Sequence, residues 1–239
     1  MAGKKKKKLV RPAYAPKKKE SKPLTKEQKL GILIGVGVLV LAIVLFALLY
    51  DDGSLKVKNG EIVGAQENWI VADLSQSSSR HKYYKLGEVE PLEGFTKDTE
   101  STLQTSSNLT TVFTAKPNDE NAAISSYYVT GVARKADEMI AEVHERFPQW
   151  GYECGDITTL TLDDGTEMPY FISSYTPAEG QDGYASQSVC AYIPAQHSAS
   201  VLISLSNNLT EGREALSDEA VEQWLKDIAG TITVETPKK

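Results

Sequence analysis

The chain has 239 residues, enough for one or two domains, and its charge is split: residues 1–30 hold 12 Lys and Arg against 2 acidic residues, and residues 51–239 hold 14 against 30. The net charge of −6 is therefore +10 before an uncharged run and −16 after it, so the two regions call for different partners. Nowhere is there a nucleophile elbow, an HExxH, a P-loop or a dinucleotide fingerprint, and no catalytic residue or cofactor is expected from such motifs.

Residues 1–25 combine lysine blocks with three prolines and almost no core-forming residues. Such a segment cannot bury enough apolar surface to offset its ordering entropy, so 1–30 is expected to be a disordered basic tail. Tyr14 is its only aromatic residue, which argues against nucleic acid and for attraction to anionic lipids. Gly31 to Tyr50 is a run of 20 residues without a charge. At 1.5 Å per residue it reaches roughly 30 Å, the thickness of a bilayer core, and no small-x-small cleavage site follows it. A single transmembrane helix acting as an uncleaved signal anchor is expected over 31–50. Lysines before the run place the N-terminus in the cytoplasm and the remainder outside the cell membrane. Gly31 and Gly35 form a GxxxG through which two such helices can approach, leaving a homodimer open.

Beyond the run, Leu55–Lys58 and Glu61–Val63 flank Asn59-Gly60, the signature of a tight hairpin. Asn68–Leu74 and Tyr83–Glu90 read as further strands, so 51–95 is expected to form a small β subregion and 96–107 a linker or long loop. In 108–239, strands are expected at 109–115 and 123–130. A helix follows through Val132, Ala136, Met139, Ile140, Val143 and Phe147, ended by Pro148. Strands at 157–162, 169–175, 187–193 and 200–205 come next, with Asp163-Asp164-Gly165 as the turn within the first pair. Ser217 is a candidate N-cap for a helix presenting Val221, Trp224, Leu225 and Ile228, Gly230 its C-cap, and 231–234 a closing strand.

This order predicts an α+β fold: one N-terminal transmembrane helix, then an extracytoplasmic, mostly antiparallel sheet covered by two helices. The FTAKP strand ending at Pro117, the helix from Val132 and WLKDIAGTITV from Trp224 give 109–234 an architecture that resembles the PsbP-like family. That resemblance implies a binding or accessory domain and no reaction.

Cys154 and Cys190 are the only cysteines, and in an oxidising compartment two thiols favour a disulfide, which would close a loop of about 37 residues and contribute roughly 3–4 kcal/mol. No CxxC or HxxxH accompanies them, so no metal is expected. His81, His144 and His197 stand in three separate contexts and read as surface histidines. Asn108-Leu-Thr110 and Asn208-Leu-Thr210 match the glycosylation acceptor pattern, without a role in a chain whose lysine-rich tail looks bacterial. Tyr83, Tyr84, Tyr127, Tyr128, Tyr170, Tyr175, Tyr184 and Tyr192 are more tyrosines than a small core readily satisfies, a hint of an interface. The expected function is a binding or accessory domain for an envelope protein or polymer, its binding residues unknown. Alternatives are an envelope hydrolase with a site assembled only in the fold, and a signal relay through the basic tail.

Overall fold

The computed structural model describes residues 53–59, 61–75, 81–98, 112–120, 122–180, 183–210 and 213–235. The chain from Gly53 onward forms one compact unit. A short hairpin, β1 (Val57–Lys58) and β2 (Glu61–Ile62), turns at Asn59, whose φ of 55° is the left-handed value the Asn-Gly turn requires.

Two sheets follow. The larger has eight strands, seven of them in the order β5 (Phe95–Lys97), β6 (Val112–Pro117), β7 (Ser126–Val132), β12 (Ser200–Leu209), β11 (Ala185–Pro194), β10 (Glu167–Tyr175) and β8 (Tyr152–Cys154). The eighth, β9 (Thr158–Thr161), also pairs with β10. The smaller sheet has the order β13 (Ile232–Val234), β4 (Tyr83–Val89) and β3 (Trp69–Asp73). Strands β11 and β12 are the longest, ten residues each, and pair along their whole length. Both are buried over most of both faces, which suits central strands.

Strand alternation sorts the side chains into two cores. Val189, Ala191 and Ile193 of β11, with Val201, Ile203 and Leu205 of β12, face the main core, which α2 (Asp218–Gly230) and the small sheet close with Val221, Leu225, Ile228, Ile70 and Leu86. Phe171, Cys190 and Tyr192 face the other way, where α1 (Ala136–Arg146) covers them with Ala136 and Ile140. The helices therefore lie on opposite faces of the large sheet, because α1 and α2 bury residues of opposite strand parity. The expectation of a sheet covered by two helices is corrected to a β-dominated, layered fold. Its transmembrane part is corrected as well: residues 31–50 lie outside the described residues, and no helix among the described residues is long and apolar enough to cross a membrane. The tail, Gly31 and Gly35, the 99–107 part of the expected linker, and Asn108 also lie outside them.

Several boundaries differ from expectation for identifiable reasons. Val132 ends β7 opposite Ser200, and α1 starts four residues later, where the Ser200 hydroxyl donates to the Arg134 carbonyl at 2.8 Å. The α-helix ends at Arg146, just ahead of Pro148 as expected, and Phe147, counted above in its stripe, belongs with Pro148 to a 3-10 turn, Phe147–Trp150. Gly230 is the last residue of α2, while Thr231 caps it by donating its backbone N–H and its hydroxyl to Ile228 O. Ser217 is the N-cap, accepting from Ala220 N–H at 3.3 Å.

The expected disulfide is also overturned, since both cysteines are free thiols. Cys154 on β8 stands opposite Ser173 of β10, and Cys190 on β11 opposite Phe171 of the same strand. With β10 between them the two backbones are about 9.6 Å apart, two strand spacings, whereas a disulfide needs Cα atoms within roughly 7 Å. Burial pushes the Cys190 thiol up to about 12, offset in part by a hydrogen bond with Ser204.

The two sheets come close together at Gly131 of β7. A Cβ there would lie 2.9 Å from the Val71 carbonyl oxygen and 3.1 Å from the Ala72 Cβ. Gly87 of β4 is packed against the Thr233 carbonyl in the same way. Gly131→Ala is expected to lower stability by about 1–3 kcal/mol, because backbone and not a movable side chain blocks the methyl group. Gly230→Ala, with nothing within 4 Å of its Cβ, is expected to leave stability unchanged or raise it by roughly 0.5 kcal/mol. Urea midpoints of the two variants check this, and a Gly131→Ala midpoint equal to the parent's would show that the sheets can separate at no cost.

Candidate functional site

Among the described residues two surface regions stand out as places for a ligand, and they lie on opposite faces of the large sheet. The first is the face that carries α1. Alternation puts Cys154, Ser173, Ser188, Ser206 and Ser126 in one cross-strand row from β8 to β7. The next row is Phe171, Cys190, Ser204, Tyr128 and Thr114. A third runs from Tyr192 through Leu202 and Thr130 to Val112.

Helix α1 packs on β10 and β11 and buries Phe171, Cys190 and Tyr192. The β12–β7–β6 end of the same face is not buried: Ser206, Ser126, Thr130 and Thr114 are half-buried and Tyr128 is 37% exposed. This end carries hydroxyls at the regular strand spacing of about 4.8 Å and no charged group in the three rows. Tyr128 is held in place because its hydroxyl hydrogen-bonds Ser204; burial raises its ionisation above the ordinary tyrosine value, so it stays neutral. Beyond the serine row, Tyr152 and Tyr175 pair across β8 and β10 with ring centroids 5.4 Å apart. Hydroxyls with a partly exposed aromatic ring suit recognition of polar, uncharged groups and contain no nucleophile–base pair.

The second region is a cleft beside the C-terminal end of α2. Its floor is the place where the main core reaches solvent, with Ile193, Ala229, Ile232, Val234 and Leu162 enclosing about 260 Å³. Asp163, Asp164 and Lys226 stand at its rim. A shallower hollow continues past Asp163 and Lys226 toward Leu92, Glu93, Trp224 and Asp227. Asp163-Asp164-Gly165 form the β9–β10 turn: Gly165 has φ 84°, and Asp164 accepts the Thr166 N–H at 2.9 Å, which holds its carboxyl below the usual range.

Sequence reading identified that turn but not its place at a cleft, because the other wall comes from α2 and β13, more than sixty residues later. The histidines are not brought together. His81 pairs with Asp73 at the base of the β3–β4 hairpin. His144 donates Nε2–H to the Gly155 carbonyl at 2.9 Å and meets Phe171 edge-on. His197 lies against Tyr84, 4.5 Å between ring centroids, in a β11–β12 loop where it and Ser198 both have positive φ. Of the eight tyrosines, Tyr83, Tyr84, Tyr127, Tyr170 and Tyr192 are buried, Tyr175 is half-buried, Tyr128 is partly exposed and Tyr184 is largely exposed. Among the described residues no group of three or more His, Cys, Asp or Glu could hold a metal ion.

Helix α2, one wall of the cleft, is tied down by polar contacts. The Gln187 amide bridges both backbone groups of Leu216, donating to its carbonyl at 3.0 Å and accepting its N–H at 2.8 Å. Tyr170 donates its hydroxyl to Glu222 at 3.0 Å. No protein-family model and no curated protein matches the sequence.

Burial, and next the Glu222 carboxylate, push the Tyr170 phenol up to about 12. The folded state holds this proton more tightly than the unfolded chain, whose tyrosines titrate near 10, so the contribution is complete below about pH 10 and lost as pH rises through about 12. Tyr170→Phe is expected to cost roughly 1–2 kcal/mol at pH 7 and to lessen the fall in stability between about pH 10 and 12. Urea unfolding across that range measures both effects, and an unchanged alkaline slope would mean that Tyr170 titrates normally.

Proposed function

We propose that residues 53–235 form a binding or accessory module of a bacterial envelope protein, displayed on the outer side of the cell membrane and engaging a protein or polymer partner. The observation that carries this reading is the uncovered end of the α1 face, with its rows of serine and threonine hydroxyls around Tyr128. A polar sheet face left open beside a helix that covers its neighbour is suited to a partner that supplies hydrogen bonds of its own. The outward placement rests on the charge distribution, +10 in residues 1–30 and −16 in 51–239, and the resemblance to PsbP-like domains belongs to the same proposal. One observation favours the enzyme alternative: the cleft beside α2 gathers Asp163, Asp164 and Lys226. Its carboxylates and ammonium are spread around the rim, and no histidine, cysteine or serine is among the described residues that line it.

The test is crosslinking of intact cells that express the full-length protein, with a reagent that cannot enter them. A reproducible partner is expected, and Tyr128→Ala is expected to weaken its capture by about 2 kcal/mol, roughly thirtyfold in affinity, as loss of a central aromatic contact does. Ser206→Arg, which places a charge in the serine row, should act in the same direction. Capture that both variants leave unchanged would remove the sheet face from consideration, and crosslinks obtained only after lysis would reverse the placement.

A further inference from the structure

We infer that the cleft at the C-terminal end of α2 takes up a basic peptide segment of another protein, one apolar side chain in the hollow and lysine or arginine side chains over its rim. The cleft lies on the opposite face of the large sheet from the hydroxyl rows, so a peptide there does not depend on a partner at the sheet face.

The hollow selects the first element. Its floor is aliphatic and continuous with the main core, so it offers the burial of an apolar group. The deeper hollow, about 260 Å³, has room for one apolar side chain, and the wider hollow that adjoins it, about 740 Å³, leaves room for the chain on either side of that residue.

Charge complementarity selects the second element. Asp163 and Asp164 of the β9–β10 turn, Glu93 and Asp227 stand around the two connected hollows, against Lys226, the one cation among the described residues that line them. The α2 C-terminus adds the negative end of its dipole, and no basic residue occupies its last turn to compensate. An anionic ligand would be repelled. A metal ion needs several donors converging on one point, and no such group exists among the described residues. Carboxylates spread along a groove instead match cationic groups spread along a chain, and a groove beside a helix end is open enough to admit one.

The experiment uses full-length protein and the fluorescein-labelled peptide Lys-Lys-Leu-Lys-Lys, followed by anisotropy at about 50 mM and 300 mM salt. Binding is expected, and should weaken with salt because the rim charges are exposed. Exchange of the leucine for serine should weaken it further, since the hollow is then left unfilled. Asp163→Asn together with Asp227→Asn should cost about tenfold in affinity, the worth of two exposed ion pairs. Lys226→Gln should tighten binding a few-fold by removing the opposing charge. Glu61→Gln together with Glu153→Gln, which neutralises two exposed carboxylates outside the cleft, should change nothing. The inference is overturned if the peptide does not bind, if the serine peptide binds as well, if Lys226→Gln weakens binding, or if the remote pair matters as much as the rim pair. All the substituted residues are exposed, and the urea midpoint of each variant separates loss of binding from loss of fold.

Discussion

The close crossing of β3 over β7 at Gly131 is the constraint on which the rest of the structure depends. With backbone resting on backbone at that point, Val71 and Ala72 are pressed against the large sheet, and the small sheet becomes part of the wall around the main core. Moving the sheets apart by one methyl group would loosen the packing around Ile70, Leu86 and Val129, which are all buried in the main core. The same arrangement determines where that core stops. It is closed by β3 and β4 on one side and α2 on the other, and the cleft lies where β13, α2 and the β9–β10 turn fail to meet.

The opposite face of the sheet is organised by a shortage of cover. One helix of eleven residues cannot span the width of the sheet, so α1 buries Phe171, Cys190 and Tyr192 with Leu202 packed at their edge, and leaves β6, β7 and Ser206 of β12 less covered. The residues respond accordingly. Where α1 packs, this face is aromatic and aliphatic; beyond it, the residues in register are Ser204, Ser206, Ser126, Thr130 and Thr114. Hydroxyls tolerate both partial burial and water, so the exposed end requires neither a second helix nor charge.

Much of the fold was legible in the sequence where an element was long enough to show a period. The alternation in β7, β10, β11 and β12 and the apolar stripe of α2 were all visible, as was the Ser217 cap. Strands β5 and β8, three residues each, carry too few positions to show alternation, and they form because a neighbour is already in place. Val132 was drawn into α1 because a valine at the right interval fits a helical stripe as well as a strand end. The thiols misled for a related reason: a count of residues between Cys154 and Cys190 contains nothing about register, and one intervening strand settles the matter. Neither candidate site was visible, since each is made by neighbours across strands or by segments far apart in the chain.

Strand β13 closes the small sheet from the far end of the chain, pairing Ile232, Thr233 and Val234 with Val89, Glu88 and Gly87. A ribosome delivers β4 roughly 145 residues before the strand it must pair with, an interval of several seconds or more at ordinary synthesis rates. Throughout that interval the β3–β4 hairpin has an unpaired edge and an uncovered apolar face, the features by which nascent chains associate with one another. Completion of the small sheet therefore waits for β13, and a chain that ends before residue 232 would leave the β4 edge open.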